Sequence, residues 1–115
     1  MALTPEKKVK NKFVQLLKEY GVYYLFPASY GMGRCGVPDV VGCFQGHFLG
    51  IECKAGKNKA TALQLKELAA IRKAEGTTFI INEENIGVLH EYLKEYAQYP
   101  QDFDEADGEP SRRVH

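Results

Sequence analysis

The sequence predicts an α/β fold, a mixed β-sheet flanked by helices. Three observations predict it: apolar residues recurring at helical spacing in separate stretches, β-branched and aromatic runs between those stretches, and glycine, proline or turn dipeptides at the junctions. Taken in chain order the elements run α-β-β-β-α-β-α over residues 1–97, followed by an acidic segment, 98–115.

The first helix has Thr4 as its N-cap and Pro5 at the first helical position. Val9, Phe13, Leu16, Leu17 and Tyr20 share one face, and Gly21 stops the run. On that wheel Glu6 falls on the inward edge of the apolar face. Val22 to Phe26 reads as a short strand, and its aromatic residues Tyr23, Tyr24 and Phe26 read as core before they read as a base-stacking surface. A loop rich in glycine and proline, PASYGMGRCGVPD, comes next.

Val40 to Phe44 and His47 to Lys54 then form two strands joined at Gln45-Gly46, with the second strand mostly buried. After the loop AGKNKA, Thr61 and Gln64 have capping-box spacing, and the helix they open bears Leu65, Leu68, Ala69 and Ile71 and runs to Gly76. Thr77 to Ile81 is a strand. A last helix, from about Glu84 to Ala97, turns Val88, Leu89, Tyr92, Leu93 and Tyr96 inward. Segment 98–115 has proline, glycine and acids without periodicity and is expected to be a flexible or loosely docked tail.

A chain of 115 residues can bury one modest core, so one domain is expected. No apolar stretch approaches a membrane span and the start MALTPEKK lacks a secretory run, which predicts an intracellular, cytoplasmic protein. Cys35, Cys43 and Cys53 form no CxxC pair and are expected to be small buried or half-buried thiols, neither a disulfide framework nor a zinc knuckle. The net charge of zero hides an asymmetry: residues 1–66 hold ten Lys or Arg against four acids, while 98–115 hold five acids against Arg112 and Arg113. A basic face around a small acidic spot suits a polyanion held near a divalent metal. No phosphate-binding loop of the GxxxxGK[ST] form occurs, so no nucleotide cofactor is expected.

The acidic spot is specific. Glu52 and Lys54 are two apart on a strand and share one face of the sheet, while Cys53 points to the other. Asp39 follows Pro38 at the entry to the preceding strand, where hairpin pairing would bring it near Glu52. Two carboxylates and the backbone carbonyl of Cys53 are the hard oxygen donors that Mg²⁺ or Mn²⁺ prefers, and Lys54 would position the attacking water or neutralise charge developing on a phosphate. An ExK triplet alone is more often an exposed ion pair.

Its surroundings add to it. The string GVPD, a hairpin, IECK, and then a helix opening TALQ resembles the PD-(D/E)XK nuclease superfamily and, within it, the VRR-NUC family of small phage and bacterial nucleases. The resemblance covers about Glu6 to Leu93 and implies a restriction-endonuclease-like fold whose active site comprises Glu6, Asp39, Glu52, Lys54 and Gln64. It further implies a divalent-metal-dependent DNA endonuclease acting as a homodimer on branched DNA such as four-way (Holliday) junctions, in a bacterial or phage-infected cell. Gln64 is also well explained as a reciprocal cap for Thr61, a role compatible with substrate contact, and Glu6 is also explained by the helix dipole.

Ser29, Tyr30, Arg34, Lys57 and Lys59 lie in the loops flanking the motif and are the candidate DNA contacts, with Lys7, Lys8, Lys10 and Lys12 a weaker extension of the track. His47, alone on its hairpin, is expected to be structural. Two rivals stand beside the junction-cutting reading: a less selective, nicking or flap endonuclease with the same site, and a catalytically silent DNA-binding module.

Overall fold

A computed structural model describes residues 3–28 and 35–97, together with the backbone of Phe103–Asp104 and Glu109–Pro110. Its elements are α1 (Pro5–Glu19), β1 (Tyr23–Leu25), β2 (Val40–Phe44), β3 (His47–Cys53), α2 (Ala62–Lys73), β4 (Thr77–Ile81) and α3 (Ile86–Ala97), the expected α/β order. Phe103–Asp104 (β5) and Glu109–Pro110 (β6) pair antiparallel, so part of the acidic segment has regular pairing that its composition did not announce. The rest of 98–115 lies outside the described residues.

Four strands make one mixed sheet in the order β1-β2-β3-β4. β1, β2 and β3 are antiparallel neighbours, and β4 joins β3 in parallel after the chain crosses over through α2. Gln45 and Gly46 both have positive φ, 55° and 83°, as a two-residue hairpin turn of the twist-matching type requires.

The two faces of β3 meet different partners. Leu49, Ile51 and Cys53 enter the main core with Val9, Phe13 and Leu17 of α1 and Leu89 and Leu93 of α3. Gly50 and Glu52 alternate to the opposite face, under α2, where a side chain at Gly50 would collide with Ile71. All of Leu49 to Cys53 is therefore buried, although Phe48, expected inside, is half exposed.

Boundaries shift where side chains or turns claim the backbone. β1 is shorter than Val22 to Phe26 because the Val22 amide closes α1 by donating to the Leu17 carbonyl, and Pro27 has no N–H to extend the other end. α3 starts at Ile86, two residues later than expected, because Asn82 Oδ1 accepts from the Glu84 and Asn85 amides and holds that stretch as a turn. α2 buries only Leu68, while Leu65 and Ala69 face solvent, so its expected inward face is narrower than the sequence pattern implies. Val88 of α3 is likewise exposed.

Gly42 on β2 has no space for a side chain, because a Cβ there would run into the Tyr23 carbonyl of β1. Gly42→Ala is expected to push β1 away and destabilise the fold by roughly 1–3 kcal/mol, the range for forced overpacking. A urea titration against the wild type measures it, and an unchanged midpoint would show that β1 adds little to the sheet.

Candidate active site

Asp39 and Glu52 come together by register. Val40 pairs with Ile51, so the next position outward on β2 meets the next on β3, and the two carboxyl groups lie within hydrogen-bonding reach of each other. The buried Pro38 before Asp39 packs toward Gly50, so the entry to β2 is fixed by contact as well as by its ring. Asp39 Oδ2 also accepts the Cys53 amide at 2.8 Å, which pins its carboxylate to the end of β3. The N–H and C=O of one residue in a strand project to the same side, so the Cys53 carbonyl opens toward Asp39 as well.

Glu52 is the one buried charged side chain among the described residues, at 2% exposure. Its Oε1 accepts from Gln64 Nε2 at 3.2 Å, whereas Oε2 is buried with no donor to meet it, the neighbouring Asp39 carboxyl being itself an acid. Burial is the largest influence on its acidity, followed by the hydrogen bond and charge of Asp39; they raise its pKa from an ordinary 4.5 to about 8, against the opposing pull of Lys54. Two crowded acids and an orphaned buried oxygen leave an excess of negative potential that a divalent cation would relieve. The donor set is hard oxygen throughout and suits Mg²⁺ or Mn²⁺. Among the described residues no three His, Cys, Asp or Glu side chains converge as a ready-made cage, so an ion held there would need further oxygens from the Cys53 carbonyl, water or substrate.

Gln64 caps its helix as expected and at the same time reaches Glu52. Its Oε1 accepts the Thr61 amide at 2.8 Å, its own amide donates to Thr61 Oγ1 at 3.2 Å, and its Nε2 reaches Glu52. Gly36 makes that approach possible: with φ of 80° it lies against the Leu63 carbonyl and the Gln64 amide, where a Cβ would clash. The GVPD segment thus packs directly on the first turn of α2.

Lys54 lies one residue past β3, yet its amide continues the ladder to the Ile81 carbonyl at 2.9 Å. Its side chain is half buried and its charge acts on Glu52. Glu6 is exposed, not tucked against the apolar face, because the first turn of α1 projects beyond the core. Its charge still reaches both Glu52 and Cys53, and its carbonyl accepts from Cys53 Sγ at 3.2 Å.

Together Thr4, Glu6, Lys7, Lys10, Asp39 and Cys53 line a cleft of about 210 Å³ between α1 and the ends of β2 and β3. Burial, with Asp39 and Glu6 adding to it, pushes the Cys53 thiol up to about 12, so it enters this site as a neutral group. No protein-family model matches this chain, and no curated protein resembles it closely enough to stand as a relative. What the fold supports by itself is the general architecture of a small nuclease-like α/β enzyme, with its acids on an antiparallel hairpin beside a parallel crossover.

The remaining expectations divide. Lys57 and Lys59 are exposed on the loop between β3 and α2, where Gly56 donates to Glu83 Oε1 at 2.7 Å and anchors the turn. Ser29, Tyr30 and Arg34 lie outside the described residues. Cys35 and Cys43 are exposed, contrary to the expectation of buried thiols; only Cys53 is enclosed. His47 packs edge-on against Tyr96 with ring centroids 5.0 Å apart, a structural contact.

The aromatic run of β1 departs most from expectation. Tyr24 is half buried, but Tyr23 is 68% exposed and Phe26 50%, so two of the three rings are surface, not core. The cause is position: β1 is an edge strand of three residues, too short to be covered on both faces. The cleft wall of Thr4, Lys7 and Lys10 was the part sequence reasoning undervalued. Its only signal was three polar residues at helical spacing on the side of α1 that carries Glu6.

Proposed function

We propose that this chain is a divalent-metal-dependent DNA endonuclease of the PD-(D/E)XK type, related to the VRR-NUC family. The observation that carries the reading is the juxtaposition of Asp39 and Glu52 from adjacent strands, with Glu52 Oε2 buried and unpartnered beside Lys54 and Gln64. A binding module has no use for two crowded acids facing DNA phosphates.

Asp39, Glu52 and the Cys53 carbonyl would hold Mg²⁺ or Mn²⁺. Bound there, the ion supplies a Lewis acid for a phosphoryl oxygen and lowers the pKa of a coordinated water. The protein's own groups do the positioning. Gln64 fixes one oxygen of Glu52 and leaves the other, buried one without a donor, while the Cys53 amide fixes Asp39. Lys54 neutralises the charge that builds on the phosphate as water adds to phosphorus and a P–O bond breaks. Lys57 and Lys59, together with Ser29, Tyr30 and Arg34, would hold the DNA backbone.

Branched DNA, four-way junctions in particular, is the proposed substrate, with two copies of the chain placing one site on each of two strands. Labelled duplex, flap, splayed and four-way DNA incubated with Mg²⁺, Mn²⁺ or EDTA tests the reading. Metal-dependent cutting, fastest on the junction, is expected. Equal rates on junction and plain duplex would replace junction specificity with a less selective nuclease, and tight binding without any cutting would reduce the protein to a DNA-binding module.

A further inference from the structure

Lys10 is a basic residue that turns toward the acids of the cleft without pairing with any of them. It lines the cleft with Asp39 and Cys53, and among the described residues no carboxylate lies within ion-pairing distance of its ammonium. Its Nζ sits instead over the ring of Phe26, 4.7 Å from the centroid. A cation over an aromatic face within about 6 Å is held by the ring's quadrupole while keeping its other side available to an anion. The ring is itself steadied by Tyr24, which meets it edge-on with centroids 5.8 Å apart. The charge of Lys10 is felt inside the cleft, at Cys53, where it opposes Asp39 and Glu6.

This arrangement differs from that of the other α1 lysines. Lys7 also lines the cleft but is exposed and, among the described residues, has no aromatic face under its ammonium; Lys8 and Lys12 are exposed and do not line it, and Lys18 is on the last turn, at the far end of the helix. A surface lysine normally samples many rotamers; one parked on an exposed ring has lost part of that freedom before any ligand arrives. Phe26 is half exposed just past the end of an edge strand, so one face of its ring is open to a cation.

We propose that Lys10, held in place by the Phe26 ring, grips a backbone phosphate of the DNA on the α1 side of the cleft, with Phe26 as its positioning residue. The inference rests on the nuclease reading and extends it by assigning the wall that faces the acids. It also gives the aromatic run of β1 a use other than core packing or base stacking.

The test is DNA binding with EDTA or Ca²⁺ in place of the catalytic metal, measured over a range of salt, so that cleavage does not enter. Each phosphate neutralised adds about 0.9 to the slope of log affinity against log salt. Lys10→Met is expected to lower that slope by about one and weaken binding several-fold at low salt, whereas Lys18→Met, which removes the same charge elsewhere on α1, leaves it unchanged. Phe26→Leu should weaken binding in the same direction, and Phe26→Tyr, which retains the ring face, should restore it.

A Lys10→Met slope equal to the wild type's, in a protein that still cuts DNA with Mg²⁺ or Mn²⁺, overturns this proposal and leaves the nuclease reading intact. Loss of slope in Lys10→Met, with Glu52→Gln cutting as fast as wild type, supports it and removes the catalytic assignment. Equal binding by Phe26→Leu and Phe26→Tyr would take the ring out of the scheme.

Discussion

Glu52→Gln is expected to slow DNA cleavage by roughly 10²–10³-fold, the loss typical of removing one group that stabilises charge in the transition state, without unfolding the protein. The amide preserves the shape of the side chain and can still accept from Gln64, but it cannot offer a second anionic oxygen to a metal. The combination of lost activity with retained fold separates this site from a merely structural buried acid. Asp39→Asn is the better partner substitution than Asp39→Ala, because Asn retains an oxygen for the Cys53 amide, whereas Ala would also abandon a bond that pins the end of β3. Lys54→Ala completes the set. Cleavage rates on one labelled substrate, with circular dichroism of each variant, decide the matter: wild-type cutting by all three would remove Asp39, Glu52 and Lys54 from the chemistry.

The second large effect is on stability. Glu52 has a folded pKa of about 8 against an ordinary 4.5, so the folded state binds its proton more tightly than the unfolded state does. Between those two values the unfolded chain has given up the proton while the native one retains it, and by linkage this group's contribution is full below about 4.5 and is lost as pH rises through 8. Metal-free protein should therefore melt lower at pH 8.5 than at pH 5.5, by about 5 °C or more if other groups are matched by the control. Glu52→Gln is that control, and its melting temperature should vary less over the same range and equal or exceed the wild type's at the alkaline end. Mg²⁺ or Mn²⁺, which must compete with the proton, should raise the wild-type melting temperature more at pH 8.5 than at pH 5.5 and leave Glu52→Gln unmoved. Differential scanning at the two pH values, with and without metal, reads all four quantities; identical pH dependence in wild type and variant would show that Glu52 does not hold its proton in the fold.

Much of this arrangement was legible in the residues because each decisive feature is local. A period-two alternation puts Glu52 and Lys54 on one face, a two-residue turn at Gln45-Gly46 folds β2 onto β3, and counting back along the hairpin brings Asp39 opposite Glu52. Thr61 and Gln64 announce the start of α2 by spacing alone. What stayed hidden depends on distant partners. Whether an aromatic run is core or surface depends on which strand lies at the sheet edge, and no residue in Val22 to Phe26 encodes that. The bond from Gln64 to Glu52 depends on how closely α2 approaches the sheet, which Gly36 decides from the other side. Nor does periodicity disclose that β4 pairs with β3 in parallel, although the crossover through α2 is what covers the Glu52 face.

The uneven anchoring of α2 has its own consequence. Leu68 is its single fully enclosed side chain, while α1 sends Val9, Phe13 and Leu17 into the main core. Elements with little enclosed apolar surface open at a smaller free-energy cost than the whole molecule does, so α2 can detach briefly while the sheet endures. An opening of that kind would withdraw Gln64 from Glu52 and let solvent exchange with a carboxyl that is otherwise buried.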